Sequence, residues 1–155
     1  YKNSFGKGYK PKFLLNNMTF SHFEHRADIG VKGTGKTLAE SFEESAKAMF
    51  EVMTNIKKIK PTKKIEFEVT AENEVELLIN FLNQALGEAD AEQMFLSKFK
   101  VTISTDGMLA LSAIAWGSPI TAKTEVRTEV KAATLSQAKV EKKAGKFIAQ
   151  CIVDV

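Results

Sequence analysis

Apolar residues along the first part of the chain change from a two-residue to a helical period. From residue 23 to residue 31 they share one parity, interrupted by His25, which predicts a strand. A glycine-containing loop is expected at residues 33–36. Thr37 is expected to cap a helix, with Glu40 completing a capping box. The buried stripe of this helix should consist of Leu38, Phe42, Ala46, Met49, Phe50 and Met53.

A second strand and a second helix are predicted between residues 65 and 87. Alternation over residues 65–69 is typical of a strand with one buried face. Asn73 and Glu76 are typical of a helix start, and Gly87 is the predicted stop. The buried face of this helix should consist of Val75, Leu78, Ile79, Leu82 and Leu86.

The second half of the chain is predicted to consist of hairpins. Every second residue is apolar over residues 99–103 and again over residues 109–115. Asp106-Gly107, between these two segments, is a strong hairpin signal. Residues 126–132 suggest a fifth strand, and residues 147–155 a last one. Together these elements predict the α+β class, as a mixed, mainly antiparallel sheet with two amphipathic helices packed on it.

The net charge of the chain is +3, but it is unevenly distributed. Residues 1–18 contain four lysines and no acidic residue, so the remainder carries a net charge of −1. By composition, that remainder is not a basic nucleic-acid binder. We expect residues 1–17 to be a flexible basic extension or a non-native leader, and residues 18–155 to form a single domain.

Two further features predict a cytoplasmic protein with no membrane partner. The sequence contains neither an apolar run of membrane-spanning length nor a secretory leader. Its single cysteine, Cys151, cannot form an internal disulfide and lies in an apolar stretch. We therefore expect a buried, inert thiol rather than a nucleophile.

Residues 30–37 match the phosphate-loop pattern G-x-x-x-x-G-K-[ST], between a predicted strand and a predicted helix. In a true phosphate loop, Lys36 would reach the terminal phosphates and Thr37 would hold Mg²⁺. A nucleotide-hydrolysing fold, however, needs a parallel sheet with several crossover helices. We therefore favour a glycine turn with a capping threonine. A phosphate-loop nucleotide-binding protein or NTPase remains the alternative, and ATP or GTP hydrolysis lost in Lys36→Ala would favour it.

Two histidines and two aspartates are the candidate ligands for a metal. His22, His25 and Asp28 have three-residue spacing, but on one strand His22 and Asp28 would share a face and His25 would not, so a zinc triad is weakly supported. Asp28 in an apolar strand is costly to bury unless it is paired or binds a cation, although a solvent-facing or turn-capping role also fits. With Asp154 and the terminal carboxylate of Val155, it would suit Ca²⁺ or Mg²⁺.

The segment F-E-H-R-A-D-I-G at residues 23–30 resembles the opening motif of the archease family, which usually reads E-H-T-A-D-I-G. The likeness covers roughly residues 20–155, in the family's order. Further matching segments are found at residues 35–42, 50–54, 115–117, 128–134 and 152–155. Several short motifs agreeing together make this resemblance specific.

The resemblance implies an accessory role rather than an enzyme. Archeases help RtcB-type RNA ligases, which act in tRNA splicing and RNA repair, to form their nucleotidylated histidine intermediate and to complete repeated turnovers. RNA would then be a partner indirectly, through the ligase. The resemblance also implies a divalent metal ion, of the Ca or Mg/Mn type, held by Asp28, Asp154 and Val155. It makes His25 and Lys131 further candidates for the same functional surface.

The chain departs from the family pattern at two positions. Ser136 stands where the family usually has histidine, and Arg26 replaces the common threonine. Because this histidine is missing, any role of an imidazole near the metal is in doubt for this chain. The aspartates are still present. A third class, a general RNA-binding or chaperone-like module acting through the basic N-terminal segment, would show salt-sensitive RNA binding that is lost when residues 1–17 are deleted.

Overall fold

The computed structural model describes residues 19–25 and 28–155. The extension expected at residues 1–17 lies outside the described residues, as does Arg26. Within the described ranges there are seven strands, two α-helices and a short 3-10 helix at Ile56–Lys58. In chain order the elements are β1 (Phe20–His25), β2 (Asp28–Gly35), α1 (Leu38–Met53), β3 (Lys63–Ala71), α2 (Glu74–Ala91), β4 (Met94–Ser104), β5 (Leu109–Pro119), β6 (Ala132–Lys143) and β7 (Lys146–Asp154).

The strands form two sheets. Sheet A has the order β1-β2-β7-β6, and sheet B has the order β3-β5-β4. Every pair of neighbouring strands among the described residues is antiparallel. The predicted α+β class with two helices is confirmed, and its strands are divided between two antiparallel sheets.

Both helices begin where the sequence predicts. The Thr37 hydroxyl accepts a hydrogen bond from the Glu40 N–H at 3.1 Å, and the Asn73 side chain accepts one from the Glu76 N–H at 2.9 Å. Glu40 reaches back to the N–H of Lys36 at 2.9 Å, one residue further than in a standard capping box. Local capping chemistry therefore determines both helix starts.

The core is formed where the two helices meet both sheets. The helix α1 contacts β2 of sheet A and β4 of sheet B, and α2 contacts β6 and β3. Phenylalanine rings connect these layers: Phe81 of α2 lies 6.1 Å from Phe42, 6.0 Å from Phe67 and 6.3 Å from Phe99 between ring centroids. Sheet A is thus held against a continuous apolar interior that fixes its orientation.

Three predicted boundaries are wrong. Residues 23–31 are not one strand, because they belong to two strands, β1 and β2, which pair antiparallel. Gly87 does not end α2, which continues to Ala91. Residues 126–131 form no strand, since the N–H groups of Arg127 and Thr128 donate instead to carbonyls at the end of α1. The predicted hairpin at Asp106-Gly107 is confirmed, with Gly107 at a φ of 78°.

Candidate functional site

Strand register brings the candidate aspartates to one end of sheet A. In the pairing of β2 with β7, Ile29 lies opposite Val153. Continuing this register by one residue places Asp28 beside Asp154 at the end of the two strands. On the β1 side Asp28 pairs with His25, and on the β6 side Asp154 pairs with Ala132. The result is a row of positions across all four strands.

Lys131 reaches the same end of the sheet from the other side. Its backbone N–H donates a hydrogen bond of 2.8 Å to the carbonyl oxygen of Asp154. Asp154 and Lys131 are exposed, and Asp28 and Val155 are half-buried. Five of the candidate positions therefore lie at one end of sheet A, namely His25, Asp28, Lys131, Asp154 and Val155. The side chain of His25 is not among those that the structure describes.

Asp28 points away from the core. Its strand neighbours Ile29 and Val31 are buried on the face that α1 covers, and Gly33 lies directly under Ser41 and Ser45 of that helix. Because side chains alternate along a strand, Asp28 lies on the opposite face, which we call the outer face of sheet A. Asp154 lies on the outer face as well, since it alternates with the buried Val153.

The paired carboxylates suit a hard cation. Like charges directly opposite on neighbouring strands destabilise a sheet unless something neutralises them. Oxygen donors are the ligands that Ca²⁺ and Mg²⁺ prefer, and Mg²⁺ is often held by one or two carboxylates with water completing the shell. Among the side chains that the structure describes, no group of three or more His, Cys, Asp or Glu is placed to hold a metal. A metal at this position would need further ligands besides the two carboxylates.

His22 does not join this site. It lies on the inner face of β1, where its Nε2–H donates to the carbonyl oxygen of Ala48 in α1 at 2.7 Å. Burial lowers the pKa of His22 to about 4, against the opposing effect of that hydrogen bond, and the charge of Arg127 lowers it further. The expectation that His22 and Asp28 share a face is wrong because they lie on different strands. His22 is a neutral residue that connects β1 to α1.

The phosphate-loop pattern is part of a strand. Residues 29–35 pair with β7. The prediction of a loop at residues 33–36 is therefore wrong for Gly33 and Gly35, which lie in the strand. Gly33 and Gly35 are glycines because α1 lies so close that a Cβ on either would collide with backbone or side-chain atoms of Glu40, Ser41 or Ser45. Paired backbone N–H groups cannot form a phosphate cradle, so the geometry offers no support for the nucleotide-binding alternative.

Cys151 is buried in β7, as the sequence predicts. Burial raises the pKa of its thiol to about 12, which an accompanying hydrogen bond with Thr134 only partly offsets. A thiol with so high a pKa is not a nucleophile near neutral pH.

Two polar contacts that sequence reasoning missed hold the segment leading to Lys131. The Arg127 guanidinium donates to the buried Glu51 carboxylate at 3.1 Å, which fixes residues 125–128 against the end of α1. The Asn83 amide bonds in both directions to the backbone of Ala133, at 2.8 and 3.0 Å. The sequence signals the contact of Asn83 with Ala133 only by the presence of an asparagine beside the apolar stripe of a helix.

Ser136 is exposed, in the irregular part of β6 between Thr134 and Lys139, where the register with β7 shifts. Its N–H donates to the Thr134 hydroxyl at 3.3 Å. It lies beyond the row of positions that contains Asp28 and Asp154.

Comparison with known proteins supports the same family as the sequence motifs. The model of the archease protein family (MTH1598/TM1083) matches residues 20–155. The chain belongs to the archease family. The chain is 39% identical to the protein archease of Pyrococcus furiosus over 139 residues, which cover 88% of this chain and 98% of that protein. It is likewise 39% identical to the protein archease of Sulfurisphaera tokodaii over 137 residues, with the same coverage.

Solved structures agree with this fold. The solution structure of protein 1598 of Methanobacterium thermoautotrophicum superposes with a TM-score of 0.80 at 36% identity, covering 89% of this chain and 99% of that one. A crystal structure of an archease from Thermotoga maritima, described as a "possible chaperone", superposes with a TM-score of 0.57 at 21% identity, covering 86% and 94%, and shows the shared archease fold alone. No helix in the described part of the chain is long and apolar enough to cross a membrane.

Proposed function

We propose that this archease is a non-catalytic activator of an RtcB-type RNA ligase in tRNA splicing and RNA repair. It would promote nucleotidylation of the ligase and multiple turnover through a divalent-metal site. The observation that carries this proposal is the register of β2 with β7, which brings Asp28 alongside Asp154 at an exposed end of sheet A. Membership of the archease family supports the choice of partner.

Asp28, Asp154 and Val155 would hold the metal. The half-buried Asp28 supplies one carboxylate at the start of β2, and the exposed Asp154 supplies another at the end of β7. When bound, a divalent cation supplies positive charge that neutralises these groups and can interact with nucleotide phosphate. The positions of Asp28 and Asp154 at the ends of β2 and β7 would leave both carboxylates accessible to a partner.

Lys131 contributes to the same surface. Its backbone is fixed by the hydrogen bond to Asp154, and the residue is exposed. A cation beside a carboxylate pair suits recognition of phosphate oxygens in a nucleotide that the ligase holds. His25, opposite Asp28 in β1, is the corresponding position on the other side.

Ligase nucleotidylation tests the proposal. An RtcB-type ligase is incubated with GTP and a divalent metal, alone or with the native protein, and the covalent nucleotidyl-ligase is quantified with time. We expect the native protein to accelerate the reaction and Asp28→Asn and Asp154→Asn to abolish that acceleration. Asp106→Asn, an exposed carboxylate in the β4–β5 turn of the other sheet, is the matched control and should activate normally. Full activation by both site variants would contradict the metal-site mechanism.

Metal binding can be measured without the ligase. A cation that binds only the folded protein stabilises it by about 2.7 kcal/mol at one hundred times its Kd. The midpoint temperature of thermal unfolding of the native protein should therefore rise when Ca²⁺ or Mn²⁺ is added. That of the Asp28→Asn, Asp154→Asn double variant should not change.

A further inference from the structure

The outer face of sheet A carries lysines at the end away from Asp28 and Asp154. Lys32 pairs with Gln150, which pairs with Lys139, so these three residues form one row across β2, β7 and β6. A last row consists of Lys143 and Lys146, next to the β6–β7 turn. We call the four lysines of these rows the lysine face: Lys32, Lys139, Lys143 and Lys146.

All four lysines are on the same side of the sheet as the aspartates. Lys32 alternates with the buried Val31, and Gln150 alternates with the buried Ala149. Lys139, Lys143 and Lys146 are exposed, and Lys32 is half-buried. Lys32 follows Asp28 by four positions along β2, a distance of about 13 Å on an antiparallel strand. One sheet face therefore presents cations at one end and carboxylates at the other.

The positive charge of the lysine face is largely uncompensated. Glu141 pairs with Lys139 at 3.5 Å, but both side chains are solvent-accessible, and such pairs are weak. Within the described part of the chain, no ion pair connects Lys32, Lys143 or Lys146 to a carboxylate. The exposed Lys36 adds a further cation next to the lysine face, because it directly follows Gly35, the last residue of β2.

We propose that the lysine face binds the phosphate backbone of RNA directly. A row of flexible, exposed lysines matches a polyanion whose charges repeat along a strand, and binding is driven by the release of counterions. A membrane surface is a poorer match, because Leu135 is the one large exposed apolar residue among the described positions of sheet A. RNA held on the lysine face would extend along the same side of the sheet as the Asp28 and Asp154 pair.

This contact adds direct RNA binding to the proposed function. RNA binding is measured without the ligase, so that it and ligase activation can each fail separately. Binding of a labelled single-stranded RNA to the full chain is followed by fluorescence anisotropy as a function of salt. The test variant carries Lys139→Gln, Lys143→Gln and Lys146→Gln. The control carries Lys57→Gln, Lys60→Gln and Lys123→Gln, three exposed lysines outside sheet A, so both variants lose the same charge.

We expect the test variant to bind RNA about tenfold more weakly at low salt, and the slope of log K against log salt to decrease by about 2, because each phosphate contact on a single strand contributes roughly 0.7. The control should keep the native slope. Equal affinity of the test variant and the native chain would overturn the proposal and assign RNA binding to another segment. Equal losses of RNA affinity in the test and control variants would also overturn the proposal, because they would show that only the net charge of the protein matters. A native chain that binds anionic phospholipid vesicles but not RNA would also contradict it.

Discussion

The side-chain amide of Asn83 in α2 is paired in both directions with the backbone of Ala133 in β6. Its amide nitrogen donates to the Ala133 carbonyl at 3.0 Å, and its oxygen accepts from the Ala133 N–H at 2.8 Å. One side chain thereby completes the hydrogen bonds of the residue that follows Ala132, the partner of Asp154. A helix thus holds the beginning of β6 next to the candidate site.

Loss of the Asn83 amide should destabilise the protein. Asn83→Ala leaves two partly buried backbone groups without partners, and we expect the free energy of unfolding to fall by about 1–3 kcal/mol. Chemical denaturation followed by circular dichroism measures the change. Asn80→Ala is the matched control on the same helix, since Asn80 makes one exposed hydrogen bond to Thr70. A loss no larger than that of the control would contradict the assigned role.

The buried carboxylate of Glu51 should matter more than the exposed one of Glu125, although both contact Arg127. Glu51 also accepts the Ile56 N–H at 3.0 Å, so Glu51→Gln weakens contacts of two chain segments with α1. We expect Glu51→Gln to cost about 1–3 kcal/mol and Glu125→Gln less than about 1 kcal/mol. Urea titration of both variants compares them, and equal losses would show that the buried contact has no special role.

His22 should make stability depend on pH between about 6.5 and about 4. Because burial lowers the pKa of His22 in the folded protein to about 4, the unfolded chain binds the proton more readily in this window. The contribution of neutral His22 is therefore complete above the window and is lost as the pH falls through it, by roughly 3 kcal/mol. The difference between native and His22→Gln unfolding profiles isolates this residue. A difference independent of pH would contradict the assignment.

Two glycines should respond in opposite ways to the same substitution. Gly33→Ala places a Cβ against the backbone of Ser41 and Ser45 and should cost about 1–3 kcal/mol. Gly87→Ala lies in an exposed helix interior with no atom within 4 Å of the new Cβ, and should stabilise the protein by about 0.5–1 kcal/mol. Thermal unfolding of both variants is the measurement. A stable Gly33→Ala protein would mean that α1 is less tightly packed on β2 than described.

Local signals in the sequence were sufficient for much of the fold. Thr37 and Asn73 predict both helix starts because a cap needs only the next three residues. Asp106-Gly107 predicts its hairpin because the turn itself requires those residue types. The division between β1 and β2 has no such signal, since the apolar residues keep one parity from residue 23 to residue 31. Residues 126–131 have a strand-like pattern, but the N–H groups of Arg127 and Thr128 bond to the end of α1, a contact that no local pattern reveals.

The candidate site was predictable only in part. Asp28 and Asp154 attract notice as carboxylates next to apolar strand residues, and the family resemblance names both of them. Their proximity depends on β2 pairing with β7 in the observed register, which joins the two ends of the domain. The roles of Asn83 and Arg127 depend on the packing of α2 and α1, so they follow from tertiary structure alone.

Multiple-turnover RNA ligation tests the proposed role of Asp28 and Asp154 in activating the ligase. An RtcB-type ligase is given excess RNA with cleaved ends, and ligated product per ligase is followed with the native protein, Asp28→Asn, Asp154→Asn or the Asp106→Asn control. We expect repeated turnovers with the native protein and the control, and about one turnover or fewer with either site variant, all four being equally folded. Repeated turnovers with Asp28→Asn and Asp154→Asn would contradict the role of the carboxylate pair, and the absence of any effect of the native protein on a cognate ligase would contradict the accessory function itself.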